Sequence, residues 1–165
     1  MNLEYTILYL VWNITVFSLF FIPTNKYREA SIAFLFQQFV TWFLGILVVE
    51  WNWINYPVRL LANVNETSFT FEFFVYPVIG IFFVLYFPIY RSLFNRFLYY
   101  FSYTTGITIP EILFEKYTDT IEFVHWTWYY TWISIFLSLV LLRVFYKWYF
   151  NERTGSRNSL FSKVD

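Results

Sequence analysis

The chain has no cysteine, one histidine and only four glycines among its 165 residues. Without cysteine there is no disulfide, thiolate metal site, cysteine nucleophile or lipidated cysteine anchor. A single histidine removes the paired-imidazole spacing of many zinc sites, such as two His at i and i+4, so no metal ligand set is assigned. Charge is scarce as well: Asp, Glu, Lys and Arg make up 13% of residues and cancel to a net charge of zero. The basic residues form no stripe, which argues against nucleic acid as a partner. No catalytic or nucleotide-binding signature stands out, and no cofactor is expected.

What the chain has in excess is apolar and aromatic. Hydrophobic residues account for 59% and aromatic residues for 28%, with 23 Phe, 15 Tyr and 8 Trp. Mean hydropathy is +0.49. Soluble domains hold about 45–50% apolar and about 25% charged residues, and a core of this size cannot hide so many large apolar side chains. Lipid is the solvent that fits.

Five runs are each near the length of about 17–25 residues that a helix needs to cross the hydrocarbon core. They cover about 5–22, 30–49, 73–87, 97–113 and 123–144. The first stops at Pro23-Thr24-Asn25-Lys26, and the third contains Pro77 and Gly80 and is closed by Pro88. The fourth is the weakest, diluted by Gly106, Pro110 and several Ser and Thr residues. A membrane β-barrel is a poor alternative, because its segments are alternating, about ten residues long, and at least eight in number. The fold class expected is an all-α integral membrane protein with one five-helix transmembrane domain over 1–150 and a short polar tail over 151–165. The start of the chain lacks a positive region and a small-residue cleavage site, and reads as an uncleaved first span.

Orientation follows from the cations. If the loop after the first span is cytoplasmic, Lys26, Arg28, Arg91, Arg96, Arg143, Lys147, Arg153, Arg157 and Lys163 all lie inside. Only Arg59 and Lys116, of eleven basic residues, are then outside. The positive-inside rule puts the N-terminus outside, the C-terminus in the cytoplasm, and the protein in the plasma membrane as a multi-pass component.

That topology gathers Glu4, Glu50, Glu66, Glu72, Glu111, Glu115, Asp119 and Glu122 at the outer face, together with His125 and Trp51, Trp53, Trp126 and Trp128. One reading is an acidic, aromatic-walled pocket for a cation, an amine or a polar head group, where cation–π contact contributes about 0.5–2 kcal/mol. The other is a solvated surface with an ordinary aromatic belt. Asp119 and Glu122 have the spacing of a capping box at the start of the last span, and Glu72 stands similarly at the start of the third. Like charges along Glu111, Glu115, Asp119 and Glu122 repel on a continuous helix, which predicts a break near Tyr117-Thr118. Glu111, after Pro110, and Glu50, before Trp51-Asn52-Trp53, are harder to assign to structure alone: a carboxylate at that depth is costly unless paired. Arg59 and His125 are the partners that topology offers. The candidate ligand or proton site is therefore Glu50, Glu111, His125, Trp53, Trp126 and Arg59. Thr127, Thr131, Ser134 and Ser138 form a stripe on the last span, the kind that lets helices pack closely and hydrogen-bond.

The segments Trp53-Ile54-Asn55-Tyr56-Pro57-Val58-Arg59, Phe74-Val75-Tyr76-Pro77 and Tyr86-Phe87-Pro88 resemble a family of small five-span membrane proteins from Gram-positive, often spore-forming bacteria. That family also carries a Glu in span four and a Trp-rich start to the last span, places held here by Glu111 and His125-Trp126-Thr127-Trp128. The resemblance implies a bacterial plasma membrane and supplies no activity. A fainter likeness is to small carotenoid-cyclase membrane domains, but Pro110-Glu111 lacks the second adjacent carboxylate of those enzymes. The function expected is a binding, accessory or structural membrane component with an aromatic–acidic outer face. The alternatives are a cation- or proton-coupled transporter or channel subunit, and then an enzyme acting on a lipid or isoprenoid. The partners expected are the lipid bilayer and either a second copy of the chain or another membrane protein.

Overall fold

The computed structural model describes residues 3–151. The expected polar tail lies outside the described residues except for Asn151. Five α-helices carry the described chain: α1 (Leu3–Leu19), α2 (Tyr27–Glu50), α3 (Tyr76–Leu85), α4 (Leu93–Tyr117) and α5 (Trp128–Tyr149). Each overlaps one of the apolar runs. A 3-10 turn (Thr24–Lys26) leads into α2, and a π-helical turn (Phe71–Val75) leads into α3. Two helices, Thr24–Glu50 and Trp128–Tyr149, are long and apolar enough to cross a membrane, while Leu3–Leu19 and Phe71–Leu85 are shorter apolar helices.

Local chemistry sets most boundaries. Pro23 follows α1 and precedes the 3-10 turn, and Pro88 follows α3, as expected of a residue that cannot continue a helix. Ser92 caps α4, its hydroxyl accepting from the Asn95 amide at 3.3 Å, which satisfies one of the open N–H groups of the first turn. The C-terminus of α2 closes as a Schellman turn, with Asn52 N–H donating to Val49 O and Trp53 N–H to Val48 O. Asn52 has φ 53°, a left-handed conformation that Asn tolerates better than most residues. The predicted break after the fourth run is present: α4 ends at Tyr117 and Thr118 is extended.

The last run behaves differently from its expected bounds. Residues 123–127 do not begin a helix. Glu122–Phe123 (β2) instead pairs antiparallel with Ile54–Asn55 (β1), Ile54 opposite Phe123 and Asn55 opposite Glu122. Val124 and His125 add N–H donations to Trp53 O, and Val58 adds one to Asp119 O. The α5 N-cap is Thr127, with no side-chain cap bond. Asp119 and Glu122 therefore cap nothing; both lie exposed on this two-stranded clamp. Hydropathy does not distinguish the strand from the helix, because Phe123, Val124 and Trp126 are apolar in either form.

Helix α3 lies at the centre, surrounded by α2, α4 and α5. Phe83, Leu139 and Leu142 are fully buried there with Ala33, Ile107 and Tyr146. Gly80 permits the close approach, since a Cβ would stand 3.0 Å from both Gln37 Cγ and Leu142 Cδ2. A smaller cluster of Ile54, Tyr56 and Ile121, packed by Val48, Phe114 and Trp126, sits beneath the clamp. It fixes the end of the bundle at which the carboxylates gather.

Candidate functional site

Proline shapes this end of the bundle first. Pro77 has no N–H, so the Phe73 carbonyl four residues earlier lacks its usual donor. The backbone widens into the π-helical turn, where Tyr76 N–H reaches Phe71 O, and the Glu72 carbonyl is released as well. Both freed carbonyls are satisfied from α2: Gln38 Nε2 donates to Phe73 O at 3.0 Å and Thr41 Oγ1 to Glu72 O at 2.6 Å. Such π-turns are frequent at functional sites. Here the effect is to turn the Glu72 side chain inward.

Glu72 is 5% exposed. Its Oε1 accepts from the Tyr56 hydroxyl at 2.6 Å. Its Oε2 has no hydrogen-bond partner among the described residues. Thr67 also lies beside it, but directs its hydroxyl to Asn65 Oδ1 at 3.0 Å. The carboxyl fits only because residue 45 is glycine: a Cβ there would overlap both carboxylate oxygens. Burial, then the Glu72 and Glu111 carboxylates, hold the Tyr56 phenol well above its ordinary range. Tyr56 is therefore a fixed donor.

Glu111 is placed by α4, one residue beyond Pro110, and its two oxygens are both engaged. Tyr76 donates to Oε2 at 2.9 Å and Thr131 to Oε1 at 3.0 Å. Thr131 in turn accepts from Trp126 Nε1 at 2.8 Å, so an indole, a hydroxyl and a carboxylate form one chain across α4 and α5.

Both carboxyls line a cavity of about 210 Å³. One wall is α2, with Thr41, Leu44, Gly45 and Val48; the facing wall is α5, with Thr131, Ser134, Ile135 and Ser138. Trp51, Trp53 and Trp126 stand at the end nearest the clamp, with the Trp53 ring in contact with Trp51 at 5.0 Å and with Trp126 at 5.7 Å. At the opposite end the helices close. Gln37 Nε2 donates to Ser138 Oγ at 3.2 Å, and Phe36 stacks on Phe145 at 3.9 Å. A second cavity of about 180 Å³, lined by apolar side chains such as Val75, Ile79, Ile107 and Phe114, lies behind the same Tyr56, Tyr76 and Glu111.

Of the residues expected from sequence, Glu111, Trp53 and Trp126 line the first cavity, and Glu50, Arg59 and His125 do not. Glu50 is exposed at the end of α2 and His125 is exposed beyond β2. Arg59 fastens its own loop, donating to the carbonyls of Tyr56, Ala62 and Asn65. Among the described residues no group of three His, Cys, Asp or Glu side chains is placed to hold a metal ion. From its place in the sequence alone, Glu72 reads as a helix-end carboxylate. The signals that mark it otherwise are Pro77 five residues on and Gly45 within an apolar run. No family model, curated protein or solved structure matches this chain.

Proposed function

We propose that this protein is a five-span plasma-membrane protein, N-terminus outside and C-terminus cytoplasmic, that binds an organic cation between α2 and α5. The membrane setting is supported by the surfaces of those two helices. Only 22% and 28% of their most apolar stretches are buried within the molecule, whereas the core helix of a soluble protein is mostly buried. Large apolar side chains such as Phe39, Phe43, Ile133, Leu137 and Leu141 point outward. The orientation rests on the cation asymmetry of the sequence.

One observation carries the binding reading: Glu72 and Glu111 converge on a single cavity, and one buried carboxylate oxygen, Glu72 Oε2, lacks a donor. A buried carboxyl oxygen without a donor is costly, and an ammonium N–H seated against it removes that cost. The tryptophans add aromatic faces of the kind that attract ammonium groups. Binding is favoured over conduction because polar lining stops at the Gln37–Ser138 hydrogen bond. Beyond it lie the Phe36–Phe145 stack and the Phe83, Leu139 and Leu142 core.

The test is equilibrium binding of radiolabelled ethylammonium to the reconstituted full chain. Saturable one-to-one binding is expected, weakened about tenfold or more by Glu72→Gln, the loss of one charge-assisted hydrogen bond. Binding that is absent, or is insensitive to both Glu72→Gln and Glu111→Gln, refutes the reading.

A further inference from the structure

The chemistry of the cavity says more about the ligand than its charge. The donors that reach the two carboxyls are fixed in place: Tyr56 is turned onto Glu72, Tyr76 and Thr131 onto Glu111, and Trp126 onto Thr131. What is left over is an acceptor, Glu72 Oε2. A ligand that brings its own N–H supplies the donor this oxygen lacks. The α2 wall carries the apolar Leu44, Leu47 and Val48, and the α5 wall carries Ile135 beside the hydroxyls of Thr131, Ser134 and Ser138. Leu44 is 38% exposed where it lines the cavity, so the cavity reaches the surface alongside α2, one of the two helices most able to cross a membrane. In a bilayer that side faces acyl chains, not water.

Resting on the cation reading above, we propose that the ligand is a single-chain amphiphile with a primary or secondary ammonium head. The head donates to Glu72 Oε2, and the apolar chain leaves through the gap between Leu44 and Ser134 into the bilayer. The protein thus takes its ligand from the membrane phase, and an ammonium lacking N–H fits the site poorly. The chain gains little by leaving lipid for an apolar cleft, so the head group supplies most of the selectivity.

Dodecylamine, ethylamine and dodecyltrimethylammonium are titrated calorimetrically into the full chain in zwitterionic nanodiscs, with protein-free discs subtracted. Membrane partitioning is common to wild type and variants, so comparisons are made between proteins. Leu44→Trp, which fills the rim, should weaken dodecylamine about tenfold or more beyond any effect it has on ethylamine. Ser134→Leu on the opposite wall is read by the same criterion, which covers a folding failure of the first variant, visible as loss of ethylamine binding. Dodecyltrimethylammonium should bind wild type at least about tenfold more weakly than dodecylamine, because one charge-assisted hydrogen bond is missing. If both rim variants keep full dodecylamine affinity while Glu72→Gln loses both amines, lateral entry is overturned and the cation site stands. If the quaternary ammonium binds as tightly as the primary amine, the N–H requirement is overturned. If neither amine saturates the protein, the cation site fails and this inference fails with it.

Discussion

Gly45→Ala sets two opposing effects of known size against each other. Alanine is the better helix former by about 0.8–1.0 kcal/mol in a helix interior, so on propensity alone the variant is more stable. Its methyl group, however, occupies the space of the Glu72 carboxyl. Glu72 then has to swing away from Tyr56, breaking a 2.6 Å hydrogen bond to a carboxylate. Hydrogen bonds to charged groups contribute about 1.5–3 kcal/mol. The net effect is a destabilisation of about 0.5–2 kcal/mol. In a Glu72→Ala background the same methyl meets no carboxyl, and the substitution should stabilise by about 1 kcal/mol. Reversible unfolding in mixed micelles, followed by circular dichroism, measures all four corners of this double-mutant cycle. A coupling of about 1.5–3 kcal/mol is expected. Equal stabilisation in both backgrounds would mean that the Glu72 carboxyl is not packed on Gly45, and the site as described would not exist.

Tyr56→Phe removes the one donor to Glu72 Oε1 and should cost about 1–3 kcal/mol in the same unfolding assay, the penalty for an unpaired buried acceptor. Gln38→Leu orphans the Phe73 carbonyl and should cost a similar amount, about 1–3 kcal/mol. The cost should shrink in a Pro77→Ala background, where residue 77 regains an N–H. Arg59→Ala releases three carbonyls of its loop and should raise proteolysis near Leu61, which sits within that loop at a φ of 59°. Glu50→Gln and His125→Ala, both at exposed positions, should leave ethylamine affinity within about twofold, since surface changes away from a site act weakly.

How much of this was legible in the sequence depends on the range of the interaction. The five helices follow from apolar run lengths and from Pro23 and Pro88, which act locally. The end of α4 follows from like charges four residues apart. The two-stranded clamp was not legible, because pairing Ile54 with Phe123 depends on contacts distant in sequence. Glu111 stands out beside Pro110, a local signal. Glu72 does not, since its burial depends on a glycine in α2, a tyrosine beyond β1 and the π-turn that Pro77 imposes, acting together. Glu50 and His125 drew notice as titratable groups beside tryptophans. Sequence position sets their distance from the membrane surface but not the direction of their side chains. Arg59 was expected to pair with a carboxylate. The nearby backbone carbonyls offer its five N–H groups a closer set of acceptors.

The most direct measurement uses a hydrophobic carbodiimide, which adds to carboxyls in apolar surroundings that it reaches through lipid. Membranes holding the full chain are treated with it, with and without dodecylamine, and the modified residues are located by peptide mass spectrometry. The expected result is an adduct on Glu72 or Glu111 that the amine suppresses, with Glu50 and Glu122 left unmodified. Modification confined to Glu50 or Glu122, or adducts at Glu72 and Glu111 that the amine does not diminish, would contradict a carboxylate-lined amine site between α2 and α5.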